Sequence, residues 1–526
     1  MALVHLIDPK ARRVLRNVTF LPALFFSVTA CSDRTQEAME AGAIAQQQME
    51  RGELVSAKRS ISDALAARDD IVALHLIRGQ IELQRGSDEG AYDAYNNALS
   101  LDPANGEALL GVSQLGLRTG HLRDSLEATN RILLMAPQQP NALLIRGIHD
   151  LVRRRFDEAI AYADRILLLQ PGDVSASILK ARALFMKGDP TSALSAVDSA
   201  SNTDTKDPSV PLTKLEIFRE LRRPDEMGRQ FELLRTLLPE DLGLRLDEAN
   251  LRFKTGQRAV AQELVIGVLS SPNASQEVTG QTLGLWAEYG TQDMTERQFD
   301  LLIKSPSSAA REAIARFLIE QRQFDRAKAI VASLDGNGQR GLSARLLANQ
   351  GKPAQALKIA NAVLEKDKTQ CDALTAKSEA SSQLGKRSVA LEIGQRAAAE
   401  CPNQVAAWLA AAQAYRALKI PSGVERVYSQ ALDSNPQNLE LVRSYAGWLF
   451  ENGRKREALA IARRLTREAP ALVGGWRYYA AVCQRAGDDC EKQANQGLAN
   501  ARTRFGIDLE PGTRPPNGLF GRFVNR

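Results

Sequence analysis

The side chains best equipped for chemistry in this chain are five cysteines and four histidines among 526 residues. A thiol can accept a lipid, close a disulfide or bind a metal, and an imidazole can bind a metal or carry a proton. The spacing narrows these options. His5, His75, His121 and His149 are scattered, and no histidine lies beyond His149 to share a metal with Cys371, Cys401, Cys483 or Cys490. His75 and His121 read as ordinary surface residues. There is no Gly-rich phosphate loop, no HExxH helix and no nucleophile elbow. The expectation is therefore no catalytic site, no metal and no cofactor. The cysteines are left for lipid attachment or cross-linking.

The compartment is written near Cys31. Arg12, Arg13 and Arg16 precede an apolar run, Val18 to Ala30, that is interrupted by Pro22 and followed by the polar Ser32-Asp33-Arg34. A membrane-crossing helix needs about 20 apolar residues, so the run fits a cleaved secretory signal better. Val28-Thr29-Ala30-Cys31 resembles a bacterial lipobox. That resemblance implies a signal peptide over 1–30, lipid on Cys31 and a short tether over 31–37. Ser32 after the cysteine resembles signals that direct lipoproteins to the outer membrane. An ordinary cleaved signal and an uncleaved anchor are the alternatives.

The elements that position the later cysteines repeat. Gly52, Gly86, Gly120, Gly188, Gly256 and Gly290 lie on one 34-residue grid, with Arg154 and Arg222 at its other two points. Five residues after each point stands a mostly small residue, from Ala57, Ala91, Ser125 and Ala159 to Thr295. Pro103, Pro137, Pro171 and Pro239 keep the same beat. A second grid holds Gly351, Gly385, Lys419, Gly453 and Gly487, with Pro402, Pro436 and Pro470 in step. Each period reads as two amphipathic helices. Glycine allows the sharp turn between them, the small residue lets them approach, and proline ends the second helix. One such pair cannot bury its apolar faces alone, so it stacks on the next. Hydrophobic residues make up 44% and aromatics only 5%, as suits helix packed on helix.

The pattern resembles the tetratricopeptide repeat, W-x2-L-G-x2-Y…A-x3-F…P. Trp408, Ala411, Ala412, Tyr415, Val424, Tyr428, Ala431 and Pro436 keep its spacing. Trp476, Tyr479 and Ala480 follow it with Cys483 in place of the tyrosine, and RRFDEA at Arg154–Ala159 resembles the second-helix start. The resemblance implies an all-α, right-handed α-solenoid of about 14 units. The expected organisation is a first array over 38–305, a degenerate repeat and loop over 306–345, a second array over 346–499 and a Pro/Gly-rich tail over 500–526. Within the degenerate part, LDGNGQRG (Leu334–Gly341) reads as a loop.

The repeat frame also orders the cysteines. Cys371 opens the first helix of a unit and Cys401 closes the second, so these two ends of one hairpin lie side by side. Cys483 and Cys490 flank the turn at Gly487. An oxidising compartment favours both bonds; in a reducing one the same four would be buried thiols.

In the family that the repeats resemble, the first helices line a concave groove, with contact sites six and ten residues before the turn glycine. These map to Gln80, Gln114, Arg182 and Asn250 in the first array, and to Gln413, Arg443 and Arg477 in the second. The first groove reads as amides beside aliphatics and the end of the second as basic, which suits an acidic partner. The net charge of +6 is interleaved along the chain and does not form the concentrated basic stripe that nucleic acid calls for. The expected function is a non-catalytic protein–protein scaffold, a lipoprotein on the periplasmic side of the bacterial outer membrane, resembling those that support exopolysaccharide synthesis or export. A pilus or secretion-system assembly factor, or a cytoplasmic adaptor, would use the same fold.

Overall fold

The computed structural model describes residues 32–201, 207–290 and 294–503. The signal segment, Cys31 and most of the C-terminal tail lie outside these residues. The described residues form 28 α-helices and no strand. None of these helices is long and apolar enough to cross a membrane.

The chain divides into two compact units, one ending at Leu221 and the other beginning at Arg222. Unit 1 contains α1 (Ser32–Glu50), α2 (Leu54–Ala67), α3 (Val72–Gln84), α4 (Asp88–Leu101), α5 (Gly106–Thr119), α6 (Leu122–Met135), α7 (Pro140–Val152), α8 (Phe156–Leu169), α9 (Val174–Lys187), α10 (Pro190–Ser201) and α11 (Ser209–Glu220). Unit 2 begins with α12 (Pro224–Leu237), α13 (Leu242–Lys254), α14 (Arg258–Leu269), α15 (Gln276–Tyr289), α16 (Glu296–Ile303), α17 (Ser308–Glu320), α18 (Phe324–Ala332), α19 (Gly336–Asn349) and α20 (Pro353–Lys366). It continues with α21 (Cys371–Gln383), α22 (Arg387–Glu400), α23 (Val405–Ala417), α24 (Pro421–Ser434), α25 (Leu439–Glu451), α26 (Lys455–Glu468), α27 (Val473–Ala486) and α28 (Glu491–Thr503). Within each unit, consecutive helices pack as antiparallel hairpins, and each hairpin stacks on the next as an α-solenoid.

The 34-residue grid marks a backbone conformation. Every glycine on it has positive φ, from +70° at Gly487 to +100° at Gly188. Arg154, Arg222 and Lys419, at the grid points without glycine, adopt the same left-handed turn at +61°, +55° and +57°. This residue lets the chain leave one helix and enter the next while the last carbonyls stay bonded. At Gly86, for example, Ser87 N–H reaches back to Glu82 O at 2.9 Å. The residues five positions on are packed between the helices: Ala57, Ala91, Ser125, Ala159, Ala356, Ala390 and Ala458 are completely buried. Thr295 departs from this rule. It is exposed and begins α16 as an N-cap, in a capping box with Gln298.

The prolines end the second helices, as Pro103, Pro137 and Pro171 follow the last residues of α4, α6 and α8 by two positions. The next helix is then capped within a few residues. Asn105, Asp173 and Asn438 accept the N–H of Ala108, Ala176 and Leu441 at 3.1, 2.7 and 3.0 Å, satisfying donors that a helix start leaves open. Trp408 and Trp476 tie the same corner by donating through Nε1 to the carbonyls of Pro402 and Pro470, each at 2.8 Å.

The LDGNGQRG stretch corrects the loop expected there. From Gly336 it is helical and opens α19. Gly338 and Gly341 serve close approach, since a Cβ on Gly338 would strike the Glu312 carboxylate and one on Gly341 the Gln370 amide. The hairpin before it turns at Arg322, which has φ +58° and no glycine to mark it.

Candidate protein-binding groove

The first helix of each hairpin carries the side chains expected to face a partner. In unit 1, Gln80 and Gln114 are half-buried, and Gln80 Nε2 donates to Glu107 Oε1 at 2.7 Å across to the next hairpin. Arg182 does not present a free guanidinium, contrary to expectation. It is buried, and desolvation lowers its pKa to about 10 while the charge of Glu216 on α11 opposes that shift. Asn250, in unit 2, is half-buried and Gln413 is exposed.

The second groove is not simply basic. Arg443 and Arg477 are both exposed. Arg443 lies over the Tyr478 ring, 5.7 Å from its centre, and the charge of Arg477 acts on the carboxyl of Glu288. Earlier first helices of unit 2 carry a mixed-charge cluster. Asp372, wholly buried at the start of α21, accepts from Arg316 Nε of α17 at 3.1 and 3.0 Å. Arg345 of α19, only 2% exposed, donates to Asp372 Oδ1 and to Glu320 Oε1, both at 3.3 Å. About two turns on from the start of α21, Glu379 accepts from Asn349 Nδ2 at 3.2 Å. Burial pushes the Glu379 carboxyl up to about 7, against the pull of Arg345. Glu440, from α25, is raised by desolvation and then by the charge of Glu320. Four hairpins thus contribute carboxyls and guanidinia to this cluster.

Sequence reasoning missed the arginines of this cluster for a traceable reason. Arg345 stands six residues before Gly351, and Arg316 six before Arg322. Both occupy the groove position of their repeat. The first was legible from the second grid; the second was hidden because its turn has no glycine.

The cysteines pair as the hairpin frame orders them. Cys371 bonds Cys401 with a Cα separation of 5.9 Å, and Cys483 bonds Cys490 at 5.6 Å. The described histidines, His75, His121 and His149, do not converge on one another. His75 is buried rather than superficial, and its Nε2 lies 2.6 Å from Asp69 O. His121 stacks on Tyr92 with ring centres 4.1 Å apart. His149 Nε2 lies 2.9 Å from Ser125 Oγ, which itself donates to Ser113 O. A serine–histidine pair of this kind could serve as nucleophile and base, but both residues are almost completely buried and no substrate reaches them. Desolvation lowers the His149 pKa to about 4. The pair is a polar pin between hairpins.

Stacked helical hairpins with a left-handed residue at each turn, and polar side chains on the first helices, define a helical-repeat protein of the kind that binds other proteins. The repeats are tetratricopeptide repeats. The model of that description matches residues 43–106, 113–167 and 146–208, and the model of the N-terminal tetratricopeptide region of Psidin matches 347–470. Among solved structures the chain is similar to MamA, at 19% identity over 32% of this chain and 92% of that one, with a TM-score of 0.30. It is similar to PilW, a widely conserved type IV pilus biogenesis factor, at 22% identity over 40% and 97%, with a TM-score of 0.34. PilF of Pseudomonas aeruginosa matches at 15% identity over 40% and 96%, with a TM-score of 0.32. No curated protein matches the sequence.

Proposed function

We propose that this protein is a non-catalytic scaffold that holds partner proteins on the inner helices of its repeats. The observation that carries the reading is the row of polar side chains at the groove positions of successive hairpins, with Gln413, Arg443 and Arg477 exposed, on an array whose neighbouring hairpins the buried Arg316–Asp372–Arg345 pairing ties together. Such a surface can fix the register of a bound segment through charge-assisted hydrogen bonds. In the fuller form of the proposal, lipid on Cys31 anchors the scaffold to the periplasmic face of the outer membrane. There it supports exopolysaccharide synthesis or export, by analogy of architecture alone. The two disulfide pairings support an oxidising compartment.

Two experiments test this. Intact mass of the N-terminal peptide from membrane extracts, beside Cys31→Ser, is expected to show an acylated Cys31 that the mutant loses; an unmodified Met1 start would remove the anchor and the compartment. Crosslinking in cells with wild type and Arg443→Glu/Arg477→Glu is expected to show the same partners at reduced yield in the variant. Unchanged capture of every partner would take that end of the groove out of the binding surface. Pilin or secretin among the partners would move the protein to pilus or secretion assembly.

A further inference from the structure

Unit 2 holds on to its own far end. Lys254, the last residue of α13, donates through Nζ to the carbonyls of Ala471 at 3.2 Å and Ala501 at 3.0 Å. Glu288, at the end of α15, accepts the backbone N–H of Gly474 at 3.2 Å. An Arg222 guanidinium nitrogen reaches Thr503 Oγ1 at 3.4 Å. These contacts span 186 to 281 residues of sequence, and all of them are polar. The apolar packing runs a different way. Clusters over 249–346, 398–465 and 462–494 each follow neighbouring hairpins, and none of the three joins α13 or α15 to α27 or α28.

The place that Glu288 occupies has the character of an anion seat. Gly474 lies in the first turn of α27, where N–H groups lack intrahelical partners and the helix dipole favours negative charge. Having no side chain, it leaves its N–H open to Glu288; a Cβ there would lie 3.1 Å from Leu439 and 4.0 Å from Glu288 Cγ. Two cations from different helices, Lys254 and Arg477, act on the same carboxylate and oppose the burial that raises its pKa. Arg477 is also one of the groove positions of the last hairpin.

We propose that Glu288 is an internal occupant of this seat, and that a carboxylate from an acidic segment of a partner protein displaces it and releases the closed turn of unit 2. The inference rests on the scaffold reading for its partner, but the latch itself is measurable without one. Because the apolar clusters follow neighbouring hairpins, the hydrogen bonds of Lys254, Glu288 and Arg222 can open without unfolding any hairpin. Release frees Arg477, and the partner's carboxylate takes over the Gly474 N–H that Glu288 gives up.

The test uses the full oxidised chain. Hydrogen exchange is measured in wild type and Glu288→Gln, comparing residues 471–477 and 499–503 with the control helix α23. Losing one charged hydrogen bond is expected to speed exchange at the latch about tenfold, with α23 unchanged. Equal protection in the two proteins would overturn the latch. In wild type, raising salt from about 50 to about 500 mM is expected to open the same two segments by screening the charges. This arm stands even if the variant loses helicity, and salt-independent protection would also overturn the latch. A hexaglutamate peptide then probes the seat. It is expected to bind Glu288→Gln at least several-fold tighter than wild type, and the gain is expected to vanish in Glu288→Gln/Arg477→Gln. A latch that opens with no gain in peptide affinity would overturn the displacement by acidic segments. Failure to capture any partner in cells would count against the scaffold reading alone and leave these measurements standing.

Discussion

Gly385 and Lys419 occupy equivalent turns of adjacent hairpins, with φ of +74° and +57°. One is the residue that the conformation favours and the other is not. A Cβ built on Gly385 meets nothing within 4 Å, so Gly385→Ala tests the backbone alone. A left-handed L-residue costs about 1–2 kcal/mol. The lower freedom of alanine in the unfolded chain returns about 0.4–1 kcal/mol, leaving a net loss of about 1 kcal/mol. Lys419 is exposed, so Lys419→Gly runs the same exchange in reverse and should gain about 1 kcal/mol. That corresponds to roughly a fivefold change in the ratio of closed to open hairpin. A long repeat array does not unfold in one step. Hydrogen exchange within α21–α22 and α23–α24 therefore gives the local value, and denaturant unfolding followed by circular dichroism gives the global trend. The double variant should fall close to wild type. If Gly385→Ala leaves its hairpin unchanged while Lys419→Gly weakens its own, the turns are not set by backbone conformation and the account of the 34-residue grid fails.

Other outcomes follow from the same geometry. His149 is neutral when folded, with a pKa near 4 against an ordinary 6.5. The unfolded chain takes the proton first, so this contribution is complete above about pH 6.5 and is lost as pH falls towards about 4. Unfolding midpoints across that window should drop in wild type and change less in His149→Gln. Arg345→Leu removes one of the two guanidinia holding the buried Asp372 and should cost on the order of 3 kcal/mol, read as a lower denaturant midpoint; an unchanged midpoint would mean Arg316 alone suffices. Reduction should destabilise the hairpin closed by Cys371–Cys401 by roughly 3–4 kcal/mol, and the shorter loop of Cys483–Cys490 by about 2.5 kcal/mol. Exchange at α21–α22 and α27–α28 with and without reductant measures both.

Much of the architecture could be read before any coordinates because the hairpin turn demands a rare backbone geometry. Glycine at that geometry leaves a periodic trace, and buried alanines and terminal prolines keep its phase. The trace fails where another residue accepts the left-handed turn. Arg322 left one hairpin legible only as a degenerate repeat, and hid the groove position of Arg316. Glycines that permit close packing, as at Gly338 and Gly341, look in sequence like loop formers. The electrostatics of the groove were less legible still. Asp372 meets arginines 56 and 27 residues away, and Glu288 meets an amide 186 residues away. Local periodicity says nothing about such distances. The basic character read from Arg443 and Arg477 holds for those two positions, but Glu440 shares α25 with Arg443, and Glu320 and Glu379 bring the same negative charge from other hairpins.

The two cystines have a consequence for biosynthesis. Cys371 pairs with the next cysteine in the chain, and Cys483 pairs with the next after that. The bridges neither interleave nor enclose one another, and each lies inside a single hairpin. A chain delivered amino-terminus first and oxidised as it emerges would therefore join its thiols correctly in the order of their arrival, with no bond that must later be broken and exchanged. The remaining thiol, Cys31, arrives before all four. Capping it with lipid at the membrane would remove the one nucleophile able to divert that sequence.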